Sequence, residues 1–421
     1  MLVSFTVKNF RSFRGEATLD LRTPNGAAAG AKPWDGSLQA VAGIYGANAS
    51  GKTTLFNAIQ SMYEQVRDSY RMSAVAGEPF AFDNVSLERP TEFSATFIAG
   101  NGICYAYGFS VLNGHVVEEW AERYTTARST LLFERKGTVV RFGTALKGPN
   151  RAVEKTLRQT NLYLSAAAAA GHQGLSPVYK WFLLQLRPFG AHGHESLLGH
   201  VMEALAKDAD RRDRLAAMLY RADLGLDGLE LELRELTEAE KAQFQRIQDA
   251  NRALFGHDLA GSIPAGAVEA FGKHLNEGQS YRLPLALESD GTRAMLCHAF
   301  VIEEALNTGA TIVFDEIDAS LHPLLVRELV RTFQDPQLNP LQAQLVFTTH
   351  DVSLMESGYG TGSQLSRDEV WLTQKHSVTG HSSLHALANS ARTRENLARR
   401  YMSGRYGGVP DHTDLVDPVL V

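Results

Sequence analysis

Cysteine is nearly absent from this sequence of 421 residues: only Cys104 and Cys297 occur, far apart and in apolar surroundings. A disulfide framework and a cysteine-based zinc site are thereby excluded, and both thiols are expected in the core, reduced. Long apolar runs are lacking as well. No stretch suffices to span a bilayer, and Met1-Leu2-Val3-Ser4-Phe5 lacks the charged and apolar regions of a signal peptide, so a cytoplasmic protein without membrane contact is expected. An excess of positive charge is also missing, the formal net charge being −6. The sum makes no global electrostatic case for nucleic acid, but a local basic groove would be invisible in it; binding of nucleic acid is neither supported nor excluded. An apolar share of 44% can build a large core, and a chain of this length reads as one composite core with an inserted subdomain.

What is present is a pair of distant motifs. Gly46-Ala47-Asn48-Ala49-Ser50-Gly51-Lys52-Thr53 fits GxxxxGK[ST], a loop whose backbone N–H groups surround phosphate oxygens because glycines let the chain approach closely. Val41 to Tyr45 before it reads as a strand, and Lys52 onward, with Leu55, Ile59 and Met62 at helical spacing, reads as a helix. The helix dipole and its unpaired N–H groups both favour an anion there. Gly46, Asn48, Ser50, Gly51, Lys52, Thr53 and Thr54 are therefore candidate phosphate-binding residues. Far downstream, Thr311-Ile312-Val313-Phe314-Asp315-Glu316 is an apolar strand ending in two acids, at the sheet edge where open α/β folds bind ligands. Asp315 would hold Mg²⁺ beside the Thr53 hydroxyl, and Glu316 would orient the attacking water, with Asp318 as a third acid nearby. A nucleoside triphosphatase is the expectation.

Between the motifs the pattern changes character. Residues 2 to 8 and 17 to 21 read as strands. Short runs at 92–98, 103–111, 116–124, 130–135 and 138–142, several of them divided by Asn-Gly or Lys-Gly pairs, read as an antiparallel meander. The loop Thr23 to Lys32 is rich in Gly and Ala. From about 150 to 220 the pattern turns helical, 223–233 alternates, and 237–255 is a charged amphipathic helix. Chemistry resumes at Glu288-Ser289-Asp290-Gly291-Thr292-Arg293, which opens an apolar helix reaching about Asn307. Pro323 suits a helical first turn. Leu345 to Phe347 leads as a strand into Thr348-Thr349-His350-Asp351, and Glu369 to Leu372 reads as the last strand. The expected division is 1–150 as an N-terminal ATPase lobe, 151–275 as a helical arm or lid, and 276–421 as a C-terminal ATPase lobe.

The order of P-loop, Ser-x-Gly helix start, Asp-Glu strand and His-ended strand resembles ATP-binding-cassette-type ATPases. Lys8-Asn9-Phe10-Arg11-Ser12-Phe13, Asp315-Glu316-Ile317-Asp318-Ala319-Ser320-Leu321-His322-Pro323, Pro79-Phe80, Asp223-Leu224-Gly225 and Tyr401-Met402-Ser403-Gly404-Arg405-Tyr406-Gly407 resemble the AAA15 group, related to RecF, SMC and OLD-type ATPases. The resemblance implies an α/β ABC-type head, a P-loop mixed sheet with an antiparallel β subdomain and an inserted helical arm. It implies ATP sandwiched between the heads of a homodimer, Lys52, Thr53, Asp315, Glu316 and His350 from one subunit meeting Ser289 and Gly291 of the other. His350 would contact the γ-phosphate and position the water. Two departures stand out: Asp290 occupies a position where transporter-type cassettes carry glycine, and the glutamine between the lobes is not identifiable, Pro79 to Phe82 being the stand-in.

Other signals read as solvated surface. His192, His194, Glu195 and His200 lack further ligands for a metal. Arg211, Arg212 and Arg214 alternate with Asp208, Asp210 and Asp213 as on a wet helix. The run Arg392, Arg394, Arg399, Arg400 and Arg405 is less balanced and could meet nucleic acid or a protein. Only about 70 residues follow His350, fewer than a catalytic domain of usual size, so effector activity, a nuclease or toxin, is expected on another polypeptide. The leading expectation is an ATP-gated switch in anti-phage defence. The alternatives are a RecF-like DNA-repair ATPase and an ATP-dependent scaffold or antitoxin with negligible turnover.

Overall fold

The computed structural model describes residues 1–23, 38–190, 193–222, 225–242, 245–246, 249, 266–356, 365–390 and 396–409. Most of the expected 23–32 loop, His192, Asp223-Leu224, most of 243–255, Arg392 and Arg394 lie outside them. The chain divides into two compact units, Met1–Ala191 with Glu304–Val421, and His192–Glu303.

The first unit contains two sheets. Strands β1 (Leu2–Phe10), β2 (Phe13–Asp20) and, after β3 (Val41–Tyr45), β4 (Thr91–Ile98), β5 (Cys104–Leu112), β6 (His115–Tyr124), β7 (Ser129–Lys136) and β8 (Val139–Phe142) follow the expected alternation. All but β3 form an antiparallel sheet in the order β2-β1-β4-β5-β6-β7-β8. The β5–β6 turn shows why the pattern was legible: Asn113 and Gly114 have φ 52° and 77°, the two left-handed residues of a hairpin turn whose twist matches the strands.

The second sheet carries the chemistry. It runs β16-β15-β3-β14-β13-β9, from β9 (Leu186–Phe189), β13 (Thr311–Phe314), β14 (Gln344–Thr348), β15 (Val370–Lys375) and β16 (Ser382–Ala386). β15, β3, β14, β13 and β9 are mutually parallel, so the ends of β3, β14 and β13 emerge at one edge. Strands β9 and β16 were not expected. Leu186–Phe189 sits inside a run read as helical, and its pairing with β13 draws the helices between Asn150 and Lys180 into the first unit. The second compact unit begins at residue 192. Helix Lys52–Asp68 buries Leu55, Phe56, Ile59, Met62 and Val66 in a core shared by both sheets.

A fully buried ion pair ties the antiparallel sheet to the helix that follows it. Glu119 and Arg135 have side chains 0% exposed, and the Glu119 carboxylate also accepts from Tyr107 Oη and from the N–H groups of Tyr163 and Leu164 at a helix start. Arg135 donates its remaining bonds to the carbonyls of Gly137, Arg158 and Asn161. Because every group is satisfied, removing one partner strands a buried charge. Glu119→Gln should cost about 3–5 kcal/mol, read as a lower midpoint in denaturant.

The second unit holds helices Gly193–Lys207 and Ala209–Arg221, strands β10 (Gly228–Arg234), β11 (Ala267–Asn276) and β12 (Gln279–Pro284) in one antiparallel sheet, and the start of helix Asp290–Thr308. Two of the three arginines read as solvated are instead engaged, Arg211 lying over the Phe300 ring and donating to Glu303, as does Arg214, while Arg212 keeps its neighbour Asp213. Glu303 is buried, and its demand for cations outweighs the exposed aspartates beside those arginines. Among the described residues no helix is long and apolar enough to cross a membrane. Cys104 and Cys297 are buried and unpaired, and burial pushes both thiols up to about 12.

Candidate active site

The loop after β3 takes a shape that only its glycines permit. A Cβ on Gly46 would lie 2.4 Å from both Ser50 Oγ and Thr373 Oγ1. Gly51, at φ 120°, turns the chain into helix Lys52–Asp68 through a conformation that L side chains rarely adopt. That helix has no acid in its first turn and no side-chain cap, which leaves its N-terminal N–H groups for an anion. Lys52 is 5% exposed and donates from Nζ to the carbonyls of Gly46 at 2.8 Å and Ala47 at 3.2 Å. Burial lowers its pKa, while Glu316, Asp315 and Asp318 oppose the shift. A cation buried at the positive end of a helix is destabilising by itself. It makes sense in a site shaped for a polyanion.

Parallel pairing brings the carboxylates to the same edge. Asp315 is 8% exposed and accepts from Thr348 Oγ1 at 2.7 Å and from the Thr53 hydroxyl. Burial raises its pKa, and those two bonds pull it back down. Glu316 follows in the left-handed region, at φ 52°, with its N–H bonded to Thr348 Oγ1 at 2.7 Å. His350 stands at the end of β14, its N–H on Asp318 Oδ2 at 3.2 Å. Burial and then the Lys52 charge lower its pKa, which keeps the imidazole neutral near pH 7.

A cavity of about 310 Å³ opens over these groups, lined by Asn48, Lys52, Thr53, Thr54, Glu316 and His350 among others. Most of the expected residues thus meet in one place. Ser50 does not face it: its hydroxyl bonds Thr373 Oγ1 at 2.6 Å and so ties the loop to β15. Pro79 to Phe82 stand apart as well, Phe80 being buried with its N–H on Asn9 Oδ1. Reading the sequence did not place Arg11, Ser12 or Lys375 at the cavity, yet all three line it. No motif marks Lys375; it arrives only because β15 pairs with β3. Thr53 and Asp315, a hydroxyl and a carboxylate already in contact, are the hard oxygen donors that suit Mg²⁺.

On the other side of Gly46 to Asn48 lies a cavity of about 520 Å³, lined by His350, Val352, Tyr401, Met402, Gly408 and Val409 among others. Tyr401 donates to the Gly408 carbonyl at 3.0 Å and sets its ring edge-on to Tyr45 at 6.0 Å. Tyr401 therefore packs against the end of β3, just ahead of the P-loop.

Ser289 and Gly291 belong to the second unit. Ser289 Oγ accepts the Thr292 N–H at 3.0 Å, capping helix Asp290–Thr308, and among the described residues a Cβ on Gly291 would touch only Ser289 Oγ, at 3.7 Å. The helix start is open to approach. Asp290 pairs with Arg293 and also with buried His194 at 3.1 Å. These two bonds, that from His194 first, lower its pKa. His200 packs edge-on to Phe300.

A search of curated proteins gives no match. Among solved structures, the chain is similar to the SMC head bound to the C-winged-helix domain of ScpA (14% identity, 91% of this chain and 96% of that one, TM-score 0.37). It is similar to the recombination mediator RecF with ATP (14%, 91% and 97%, 0.38). A third is the Smc head domain with a coiled coil and joint derived from Pyrococcus yayanosii (12%, 96% and 99%, 0.37). A family model matches residues 41–356, which hold the P-loop, the Ser289 helix, Asp315-Glu316 and His350. With more than half of its length matched across every one of those elements, the chain belongs to the P-loop ATPase family described as "AAA domain, putative AbiEii toxin, Type IV TA system".

Proposed function

We propose that the protein is a Mg²⁺-dependent ATPase that holds ATP between the heads of a homodimer and acts as a switch for a separate effector, a nuclease or toxin, in anti-phage defence. The observation that carries the chemistry is the shared cavity of Lys52, Thr53, Glu316 and His350 at a helix N-terminus, with Asp315 bonded to Thr53 beside it. Lys52 and the loop N–H groups bind the β- and γ-phosphates. Thr53 and Asp315 hold Mg²⁺, which when bound offsets negative charge on the phosphates. Glu316 takes a proton from the attacking water, and neutral His350 donates a hydrogen bond to the γ-phosphate. The exposed start of helix Asp290–Thr308 at Ser289 and Gly291 supports the trans contact, since a helix N-terminus there can face a second copy's nucleotide. The defence role rests on the family's toxin–antitoxin description.

Phosphate release by the purified protein, with and without Mg²⁺, tests the activity. Turnover independent of Mg²⁺, or none, would remove it.

A RecF-like reading has its own observation: Arg399 and Arg405 are exposed on and beside the short helix Leu397–Met402, whose Tyr401 adjoins the P-loop. If it holds, duplex DNA binds more tightly with ATP, and the affinity falls steeply between about 50 and 200 mM salt. Binding indifferent to ATP and salt would dismiss it.

A further inference from the structure

We propose that Thr348 is a positioning residue for hydrolysis, its single hydroxyl oxygen setting both members of the Asp315-Glu316 pair. The inference rests on the ATPase reading. Oγ1 accepts the Glu316 N–H at 2.7 Å, and it donates to Asp315 Oδ1 at 2.7 Å. An N–H can only donate, so the hydroxyl's one proton is committed to the carboxylate. Asp315 is thereby held as an acceptor, with Oδ1 satisfied by Thr348 and the carboxylate also bonded to the Thr53 hydroxyl.

The second bond has a different task. Glu316 sits at φ 52°, a region unfavourable to a non-glycine residue that persists only where neighbours hold it. Its bond to Thr348 supplies that hold and aims the Glu316 side chain into the cavity shared with Lys52 and His350. Thr348 itself is 1% exposed, is absent from the cavity wall, and so acts through the two acids without meeting nucleotide. Strand pairing fixes its place: Phe314 is in register with Phe347, which puts Thr348 beside the two residues that follow β13.

Thr348→Val keeps the shape and deletes both bonds. A displaced catalytic group can cost about 100-fold in rate, so kcat should fall about 10- to 100-fold. ATP affinity without Mg²⁺, read from a fluorescent ATP analogue, should stay within about twofold, because the phosphate-binding loop is untouched. The Mg²⁺ concentration that half-saturates the fluorescence change should rise several-fold. Thr348→Ser restores the hydroxyl and should recover most of both losses. Thr348→Ala, which leaves room for a water, is measured beside Val in case the valine variant fails to fold, and should lie between Val and Ser. Wild-type kcat and Mg²⁺ dependence in both Val and Ala, or a loss in Ser as deep as in Val, would overturn the role of Thr348 while leaving the ATPase reading intact. Absence of Mg²⁺-dependent turnover in the unaltered protein would overturn both.

Discussion

Lys52→Ala lowers ATP affinity by two orders of magnitude or more, to the point where a micromolar titration detects no binding. The ammonium now lies on the Gly46 and Ala47 carbonyls, at the mouth of a helix whose first turn holds no acid. With ATP bound it exchanges those neutral acceptors for phosphate oxygens. Hydrogen bonds between charged groups contribute about 1.5–3 kcal/mol each, and losing two removes about 3 kcal/mol or more, roughly 150-fold in Kd. The apoprotein should not suffer equally. Burial already lowers the Lys52 pKa, a sign that the charged form is disfavoured where it sits. The melting temperature without nucleotide should therefore hold or rise, and ATP should no longer raise it. Calorimetric titration and thermal shift together decide the matter. Undiminished binding would sink the P-loop assignment, and a collapsed melting temperature would show that the lysine is structural.

Glu316→Gln separates binding from turnover. The amide is isosteric and leaves the bond from the residue 316 N–H to Thr348 in place, but it cannot take a proton from water. Loss of a general base costs about 10²- to 10⁴-fold in rate, so phosphate release should nearly cease while ATP still binds. If ATP joins two heads and hydrolysis parts them, the variant accumulates as a dimer at saturating ATP and Mg²⁺ and reverts when nucleotide is removed. Light scattering on the eluted protein reads the mass directly. A variant that binds ATP and stays monomeric would defeat the sandwich. Turnover equal to that of the unaltered protein would instead favour a scaffold in which Glu316 does no chemistry. If an effector recognises the ATP-bound state, purifying the trapped form from its host captures it.

Local signals made the phosphate site legible. Gly46, Gly51, Lys52 and Thr53 depend on one another through a loop of a few residues, so glycine freedom and the following helix leave a compact pattern. The meander was readable for the same reason, since each strand pairs with its neighbour through a turn such as Asn113-Gly114. Strand β9 was not. Its four residues, Leu186–Phe189, carry no period of their own, follow a helical run and become a strand only through β13. Arg211 misled because its local partners are aspartates on the same helix, whereas Glu303, remote in sequence and buried, is the stronger claim on its charge. Asp290 lies at helical spacing from its partner Arg293, but its other partner His194 lies 96 positions away and leaves no trace in the pattern.

By itself the sequence determined the candidate groups: a GxxxxGK[ST] loop, two acids at a strand end, a histidine at another, and a serine and glycine opening a helix. Those groups announce themselves because each must sit at the end of a strand or the start of a helix, and such ends are encoded locally. Which groups meet was decided by the tertiary structure alone. Pairing of β15 with β3 brings Lys375 to the cavity and gives Ser50 a partner in Thr373, and parallel pairing of β3, β14 and β13 sets residues some 270 positions apart at one edge. The same pairing places one threonine hydroxyl between the Asp315 carboxylate and the Glu316 N–H. Such contacts join side chains from separate strands across a sheet, and sheet order is a property of the packed chain that no single segment carries.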